Sequence, residues 1–460
     1  MNKAKDFARE NAQSFLEDLL AFLRFPSVST DPAYAKDVAK TAEWLRDDME
    51  KSGIKAEVIP TAKHPLVYGE WLEAGDDAVT VLIYGHYDVQ PAVKEDGWDS
   101  EPFEPVIKDG KIYARGATDD KGQMLCHVKA VQAILASEGR LPVNVKFIIE
   151  GEEESGGGSI AAYVKEQGER LSADVCLVSD TSMGHIDHPT IINSLRGVLA
   201  MDLLITGPKQ DLHSGMFGGS VHNPAQAMTE ILSKLHDEKS GEVSVPGFYD
   251  QVVPLSEADR EEMAKAPLEL AEWKENTGAP KPWGESQYTL RERVSARPTL
   301  EITGMASGYF GEGRKNIVPQ KAWAKLSCRL VANQDANHTF DLIDKYMQSI
   351  SPDTVRVQLE KKETHPAILI DINNPYMEAA KRAYQKGWGA EAIFVREGGS
   401  IPIVSEFQNR LKLPIVMMGF GLNSDGLHGP NEHFHINMFH KGIETSIQFL
   451  YELANMEDKS

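Results

Sequence analysis

The segment AVTVLIYGHYD at residues 78–88 joins an apolar run to a histidine and an aspartate, and it sets the pattern for the fold. A short, nearly continuous apolar run is typical of a strand that is covered on both faces, as in a mainly parallel sheet. Further runs of this kind are VNVKFIIE (143–150), ADVCLVSD (173–180) and LPIVMMGFG (413–421). Helical patterns lie between the first three runs, at 122–137 and 159–168. This alternation predicts an α/β fold with a mainly parallel sheet.

A section of different character interrupts the alternation. Its strand and helix patterns suit a small antiparallel sheet with helices on one face, and the predicted strands lie at 198–207, 299–303, 321–330 and 355–359. The polar stretch 238–297 is interpreted as an insertion. We therefore predict a first domain formed by residues 1–193 and 366–460, interrupted by a smaller α+β domain at 194–365.

Histidines and acids follow the predicted buried strands. The side chains in question are His86, Asp119, Glu153, Glu154, Asp180 and His428. In open α/β sheets, ligands bind outside the carboxyl ends of the strands, so we expect these side chains to converge in one crevice. Each feature has an ordinary reading when it is taken alone. Aspartates commonly cap helices, a run of glutamates is usually a solvated face, and a loop histidine is usually exposed. Their joint occurrence at strand ends favours a site.

Such a cluster of carboxylates requires cations, because like charges in a partly dry crevice raise one another's pKa values. Two imidazoles and three carboxylates can hold two divalent metal ions if one carboxylate bridges them. Zn²⁺ fits this mixture of ligands, and Mn²⁺ or Co²⁺ is compatible with it. One further acid could deprotonate a water that bridges the metals, which is the nucleophile of many two-metal hydrolases.

The composition excludes several other classes of protein. The net charge of −21 argues against nucleic acid as a partner. Neither a signal peptide nor an apolar run long enough to cross a bilayer is found, so we expect a cytoplasmic protein without a membrane partner. The three cysteines form no CxxC pair and suggest neither a disulfide framework nor a thiolate zinc site. A serine hydrolase is disfavoured because no GxSxG elbow is present.

Several further motifs occur in a fixed order along the chain: GHYDV (85–89), RGATDDKG (115–122), EGEEESGG (150–157), SD (179–180), DLHSGMFGG (211–219), CRLV (328–331), REGGSIP (396–402) and the His428 loop. Together they resemble the M20 metallopeptidase family, specifically its cytosolic nonspecific dipeptidase and carnosinase branch. The resemblance implies a dinuclear catalytic domain interrupted by a lid and dimerisation domain, and a homodimer.

The resemblance also implies a role for each matching residue of the metal centre. His86 and Asp180 would bind one ion, Glu154 and His428 the other, and Asp119 would bridge the two. Glu153 would be the general base, and Asp88 would orient His86. A cis peptide bond is implied between Asp119 and Asp120.

Further residues are implied to contact the substrate. Arg329 would bind its C-terminal carboxylate, since a guanidinium suits that group. His213 would act in the active site of the partner subunit and stabilise the developing oxyanion. The remaining contacts implied are Asn316, Gly399, Ser400, Asp180 and His428.

Three functions remain open at this point. The first is the hydrolysis of dipeptides that carry a free C-terminal carboxylate. The second is the deacylation or decarbamoylation of N-acyl or N-carbamoyl amino acids by the same centre. The third is an inactive metal-binding homologue, whose signature would be loss of Glu153 or of a ligand. A phosphoesterase is a more distant alternative, and the acidic chain without a phosphate cradle counts against it.

Overall fold

The computed structural model describes residues 3–399 and 401–456. The chain forms two compact units: Met1–Asn193, Ile370–Val395 and Glu406–Ser460 make up the first, and Ser194–Leu369 and Arg396–Ser405 the second. The unit boundary at 193/194 coincides with the predicted one. Residues 366–369 and 396–405, which we assigned to the first domain, belong to the second unit.

The helices of the described residues are α1 (Lys3–Glu10), α2 (Ala12–Leu23), α3 (Ala35–Lys51), α4 (Lys121–Glu138), α5 (Gly158–Glu166), α6 (Ser214–Phe217), α7 (Pro224–Leu232), α8 (Glu257–Met263), α9 (Leu270–Thr277), α10 (Leu290–Ser295), α11 (Ala336–Ile350), α12 (Pro375–Gly387), α13 (Pro402–Arg410) and α14 (Ile436–Ala454). Short 3₁₀ helices occur at Pro32–Tyr34, Lys94–Asp96 and Glu153–Ser155.

The strands are β1 (Lys55–Ile59), β2 (Leu66–Trp71), β3 (Thr80–His86), β4 (Val106–Lys108), β5 (Lys111–Tyr113), β6 (Asn144–Glu150), β7 (Val175–Val178), β8 (Ser182–Met183), β9 (Thr190–Leu195), β10 (Gly197–Thr206), β11 (Leu212–His213), β12 (Thr299–Ser307), β13 (Ile317–Val318), β14 (Lys321–Leu330), β15 (Arg356–His365), β16 (Ile368–Leu369), β17 (Ile393–Arg396), β18 (Ile415–Met417), β19 (Gly421–Leu422) and β20 (His433–His435).

The main sheet of the first unit has the strand order β1-β2-β6-β3-β7-β18-β9, and β17 also pairs with β9. Its central strands β6, β3, β7 and β18 are parallel, and they are the four apolar runs that the sequence predicted. The strands on either side, β1, β2 and β9, pair antiparallel with their neighbours. The α/β class is therefore confirmed, and the sheet is mixed, with a parallel centre.

The helix α4 is buried on all sides along most of its length. It packs against β3 of the sheet and against α1, α2 and α14. A helix enclosed in this way has little contact with water on any face, which explains why its apolar and small residues lie on all sides and do not form one stripe. Because α4 begins directly after Asp119 and Asp120, its burial anchors those two acids.

The second unit is built on the antiparallel sheet β12-β14-β10-β15. Alternate residues of β10 and β14 are buried, as expected for a sheet with one covered face. Helices α7 and α11 pack on that face through Met228, Ile231, Ile343 and Met347. The predicted α+β arrangement is thus present. The polar stretch 238–297 contains α8, α9 and α10.

Within residues 3–399 and 401–456, the structure has no helix whose length and apolar character would let it cross a membrane.

A glycine in α4 offers a test of the packing that anchors the site. A Cβ atom on Gly122 would lie 2.0 Å from the carbonyl oxygen of Ala117, whereas a Cβ on Gly158 in α5 would meet nothing within 4 Å. Gly122→Ala should therefore destabilise the protein by about 1–3 kcal/mol or more through overpacking. The matched Gly158→Ala change should be neutral or slightly stabilising. Melting temperatures check this, and equal values for the two variants would contradict the packing described for α4.

Candidate metal centre

Three parallel neighbours of the sheet bring acids and a histidine to one edge. His86 is the last residue of β3, and the register places it opposite Glu150, the last residue of β6. The turn after β6 carries Glu153 and Glu154 in a 3₁₀ helix, and Asp180 lies two residues beyond the end of β7. The carboxyl ends of adjacent parallel strands therefore place these side chains side by side, as the sequence predicted.

Two loops supply the remaining residues. Asp119 lies just before α4, and its peptide bond to Asp120 is cis, as the family resemblance implied. His428 lies between β19 and β20 and has a positive φ of 58°. The side chain of His428 is 57% exposed and that of Asp119 only 8% exposed. His428 therefore lies at the mouth of the cluster, while Asp119 and the fully buried His86 form its floor.

The two oxygens of Asp119 face different histidines. Oδ1 lies 3.1 Å from His86 Nε2, and Oδ2 lies 2.9 Å from His428 Nε2. His86 Nε2 is also 3.8 Å from an oxygen of Asp180, and His428 Nε2 is 3.4 Å from an oxygen of Glu154. Asp119 thus belongs to two groups of side chains at once.

Each group has the composition of a metal site. In the group of His86, Asp119 and Asp180, and in the group of Asp119, Glu154 and His428, one ligand atom from each residue lies within 4.8 Å of the others. One imidazole nitrogen and two carboxylate oxygens suit Zn²⁺, and leave a coordination position open for water or substrate. These residues therefore fit two divalent ions that share the carboxylate of Asp119.

Two acids of the cluster, Asp180 and Glu153, hold their protons more tightly than ordinary carboxylic acids do. Burial raises the pKa of Asp180 to about 7, against the opposing charge of His86. Burial likewise raises the pKa of Glu153 to about 9, with His86 opposing the rise and Asp180, Glu154 and Asp88 adding to it. A bound cation would lower the pKa values of both carboxyl groups, because a nearby positive charge favours their ionised form. The cluster therefore favours positive charge at its centre.

The neighbouring carboxylates also shift the pKa values of His86 and His428. Hydrogen bonds with Asp119 and Glu154 raise the pKa of His428 to about 10. Burial lowers the pKa of His86, but its contacts with Asp119 and Asp88 raise it well above 6.5 overall. The pKa of Asp119 is raised by burial, yet the hydrogen bonds from His428 and His86 hold it below its usual value. Asp119 is therefore the carboxylate that stays ionised in the middle of the cluster.

Asp88 connects His86 with the turn that carries Glu153 and Glu154. Its buried carboxylate accepts hydrogen bonds from the backbone N–H groups of Glu153 at 3.2 Å and Glu154 at 3.1 Å. His86 Nδ1 donates to the backbone carbonyl of Asp88 at 3.1 Å and lies 3.4 Å from the carboxylate. Since a carbonyl can only accept, Nδ1 carries a proton and Nε2 is the nitrogen that faces Asp119 and Asp180.

The three consecutive glutamates divide between structure and site. Glu152 is buried and accepts hydrogen bonds from His64 N at 2.8 Å and Ser159 Oγ at 2.6 Å, so it holds the turn together. Glu154 joins the second ligand group, and the amide of Gln90 donates to its other oxygen at 2.7 Å. Sequence reasoning did not find Gln90, because a single glutamine after a strand has no distinguishing pattern.

A second residue that sequence reasoning missed is Glu432, which holds the loop before α4. Its buried carboxylate accepts from the backbone N–H groups of Gly116, Thr118 and Asp119 at 2.9, 3.0 and 3.1 Å. It also accepts from the guanidinium of Arg115 at 2.8 Å. The loop therefore wraps around one carboxylate, which fixes the backbone position of Asp119. One glutamate in a polar loop, distant in sequence from Asp119, could not be singled out without the structure.

The other predicted site residues belong to the second unit. His213 and Asn316 lie close together there, since β11 pairs with β13 and Ser214 N donates to the carbonyl of Asn316 at 3.0 Å. The His213 ring accepts a hydrogen bond from Gly215 N at 3.1 Å. These contacts order the turn around His213 without defining a catalytic role for it.

Arg329 and Gly399 are linked through Arg196, which sequence reasoning did not single out. Arg196 and Arg329 both line a cavity of about 400 Å³ in the second unit. Burial and the charge of Arg329 lower the pKa of Arg196 to about 10. The backbone N–H of Arg196 donates to the carbonyl of Gly399 at 3.1 Å, and its Nε donates to that of Gly398 at 3.2 Å. Ser400 lies outside the described residues.

Comparison with known proteins assigns the class. The sequence model of peptidase family M20/M25/M40 matches residues 82–452. The chain therefore belongs to this family of peptidases, and the predicted membership is confirmed.

Individual relatives resemble the chain over nearly its whole length. It is 30% identical to the Cys-Gly metallodipeptidase dug1 of Schizosaccharomyces pombe, with 99% of each chain covered. The crystal structure of human carnosine dipeptidase 1 superposes with a TM-score of 0.82 at 28% identity and covers 99% of this chain and 98% of its own. A metallo-carboxypeptidase of the family from Sulfolobus solfataricus has a TM-score of 0.85 at 31% identity, with 96% and 99% covered.

The role of Glu432 can be tested through metal affinity. Glu432→Gln keeps the shape of the side chain but removes its charge and exchanges one acceptor for a donor. Because residues behind the ligands typically influence metal affinity about 10–100-fold, we expect a loss of that size, measured by competition with a chelator. Glu452→Gln is the matched control, since Glu452 is a buried glutamate paired with Arg382 and Lys386. Unchanged affinity in Glu432→Gln would contradict the role.

The pKa shifts predict how metal stabilises the protein at different pH values. The raised values of Asp180 and Glu153 give stability to the metal-free fold that is lost as the pH rises through about 7 and about 9. The raised pKa of His428 acts in the same direction, because the stability that it gives is lost as the pH rises through about 10. A divalent ion replaces these protons. The increase in melting temperature caused by saturating Mn²⁺ should therefore be larger at pH 7.5 than at pH 5.5, and the opposite trend would refute this account.

Proposed function

We propose that this protein hydrolyses the peptide bond of dipeptides that carry a free C-terminal carboxylate, with two divalent ions per subunit. The observation that carries the proposal is the placement of Asp119 between two ligand groups, with the half-buried Glu153 among the same charges. Membership of the M20/M25/M40 peptidase family supports the reaction type. Every residue that the chemistry requires is present in the chain.

The proposed ligand assignment follows the two groups. His86 and Asp180 would hold one ion, Glu154 and His428 would hold the other, and Asp119 would be shared by both. When bound, such ions polarise the scissile carbonyl group and lower the pKa of water. Zn²⁺ suits the ligand set best, and Mn²⁺ or Co²⁺ remains compatible with it.

The proton transfers are assigned to Glu153. As general base it takes a proton from the attacking water, and afterwards it delivers that proton to the leaving amine. Bound cations would lower the pKa of Glu153 from its raised metal-free value, so that the group could accept a proton from water near neutral pH and return it to the amine. Asp88 fixes the positions of Glu153 and His86 relative to each other. Its carboxylate accepts a hydrogen bond from the backbone N–H of Glu153, and its backbone carbonyl accepts one from the ring of His86.

The substrate assignment rests on the relatives and on cationic side chains. One relative is named a Cys-Gly metallodipeptidase and another, from Homo sapiens, a Beta-Ala-His dipeptidase. We assign Arg329 to the C-terminal carboxylate, with the backbone at Gly399 and the side chain of Ser400 as further contacts. Asn316, Asp180 and His428 are assigned as additional substrate contacts, and His213 as the donor to the developing oxyanion.

The state of assembly and the location are part of the same proposal. We assign the protein as a cytoplasmic homodimer in which His213 serves the active site of the partner subunit. The alternative substrates are N-acyl and N-carbamoyl amino acids, which the same centre could hydrolyse. A longer peptide trimmed from its C-terminus is the second candidate, favoured by the high structural similarity to the metallo-carboxypeptidase.

A substrate panel tests the proposal. Metal-free protein reloaded with Zn²⁺ or Mn²⁺ is given dipeptides, tripeptides, longer peptides and N-acyl amino acids, and each loss is followed by mass spectrometry. We expect metal-dependent loss of dipeptides, and a decrease in kcat of about 10²–10⁴-fold in Glu153→Gln, because that variant lacks the base. Glu166→Gln makes the same change at an exposed glutamate of α5 and should retain the wild-type activity. Hydrolysis of acyl amino acids or longer peptides, with dipeptides untouched, would overturn the substrate assignment.

Mixing inactive variants tests the action of His213 across the dimer. His213→Ala and Glu153→Ala proteins are each expected to be inactive. If His213 serves the partner subunit, exchange of subunits creates mixed dimers with one intact site, so activity should return to about one quarter of the wild-type value or less. Verified exchange without any return of activity would show that His213 does not act in the partner's site.

A further inference from the structure

A second cluster of potential metal ligands lies in the first unit, apart from the groups that share Asp119. His433 and His435 are alternate residues of β20 and therefore project from the same side of the strand. Asp425 lies in the turn after β19. One ligand atom from each of these three residues lies within 4.8 Å of the others.

One carboxylate oxygen of Asp425 is buried without a hydrogen-bond partner. The side chain is fully buried, and its Oδ2 accepts hydrogen bonds from Leu422 N at 2.8 Å and Thr118 Oγ1 at 3.2 Å. Its Oδ1 is buried without a hydrogen-bond partner and lies 3.5 Å from His433 Nε2. A buried carboxylate oxygen without a partner is costly, so a cation beside it would be strongly favoured.

His433 presents a lone pair to the same point. Its Nδ1 lies 3.0 Å from the backbone carbonyl of Asn431, and because a carbonyl can only accept, Nδ1 is the protonated nitrogen. Nε2 is then free to accept or to bind a metal. A ring held by its other N–H to a backbone carbonyl is the usual arrangement of a metal-binding histidine.

The side chain of Lys111 already places a positive charge beside this nitrogen. The ammonium of Lys111 donates to His433 Nε2 at 3.0 Å, and Lys111 lies opposite His435 in the pairing of β5 with β20. The lysine therefore marks the place where positive charge is favoured. Its side chain is long and flexible and only half-buried, so it can withdraw to solvent when another cation binds.

We propose that Asp425, His433 and His435 form a third divalent-cation site, suited to zinc, separate from the centre around Asp119. Two imidazoles and one carboxylate, with a position open to water, are a common zinc ligand set. Such an ion would join β20 to the turn at Asp425 and close the loop between them. That loop carries His428, so the third ion would restrain the segment that supplies the outermost ligand of the other centre.

Metal content tests the proposal directly. Metal-free protein is equilibrated with Zn²⁺, freed of unbound metal, and measured by inductively coupled plasma mass spectrometry. We expect about three zinc ions per chain in the wild type and about two in His435→Asn. The matched control His440→Asn, which alters a half-buried histidine outside the cluster, should keep the wild-type content. Two ions in the wild type, or three in His435→Asn, would overturn the proposal.

A second variant protects the test against a folding defect in the first. Lys111→Met leaves all three ligands in place and removes the competing ammonium. We expect the third zinc ion to be lost to a chelator at least about 10-fold more slowly than from the wild type, because the lysine no longer displaces it. An unchanged rate of loss would show that the lysine and the metal do not share one position. Neither result depends on hydrolysis, so both stand whether or not the dipeptidase assignment holds.

Discussion

The neutralisation of buried carboxylates around Asp119 is the constraint on which the rest of the structure depends. Asp119 stays ionised between two histidines, while burial and mutual repulsion raise the pKa values of Asp180 and Glu153. An arrangement of this kind is unfavourable in a folded chain unless positive charge is supplied. Protons can supply it at low pH, and divalent ions can supply it at neutral pH. Folding, metal binding and acid–base chemistry are therefore linked through one carboxylate.

Residues outside the two ligand groups are needed to hold these charged side chains in position. Glu432 gathers the loop before α4, and Asp88 ties the ring of His86 to the turn after β6. Both are buried acids whose hydrogen bonds go largely to backbone N–H groups. Backbone groups are fixed by the fold, so they position a ligand more reproducibly than a flexible side chain would. The rigidity of the centre thus comes from backbone geometry.

The two units contribute different kinds of side chain to the proposed activity. The first unit carries the candidate metal ligands and the proposed general base, at strand ends of its sheet and in two loops. The second carries the basic and polar residues assigned to the substrate, including Arg329 and its neighbour Arg196. This division explains why the reaction class is easier to assign than the peptide that is cleaved.

The sequence by itself determined the parallel centre of the sheet and which side chains are candidate metal ligands, whereas the first unit has three segments and not the predicted two. Apolar runs and the polar residues at their ends are local patterns, so they can be read without knowing the fold. The antiparallel strands β1 and β2 were missed because neither shows a continuous apolar run. Strand β1 is half-exposed and polar, and β2, although buried, contains Gly69 and Glu70. Only the tertiary structure decided which oxygen of Asp119 faces which histidine, and that Glu432, Arg196 and Lys111 matter. Those roles depend on contacts between residues far apart in the chain, and no local pattern of charge or hydrophobicity encodes such contacts.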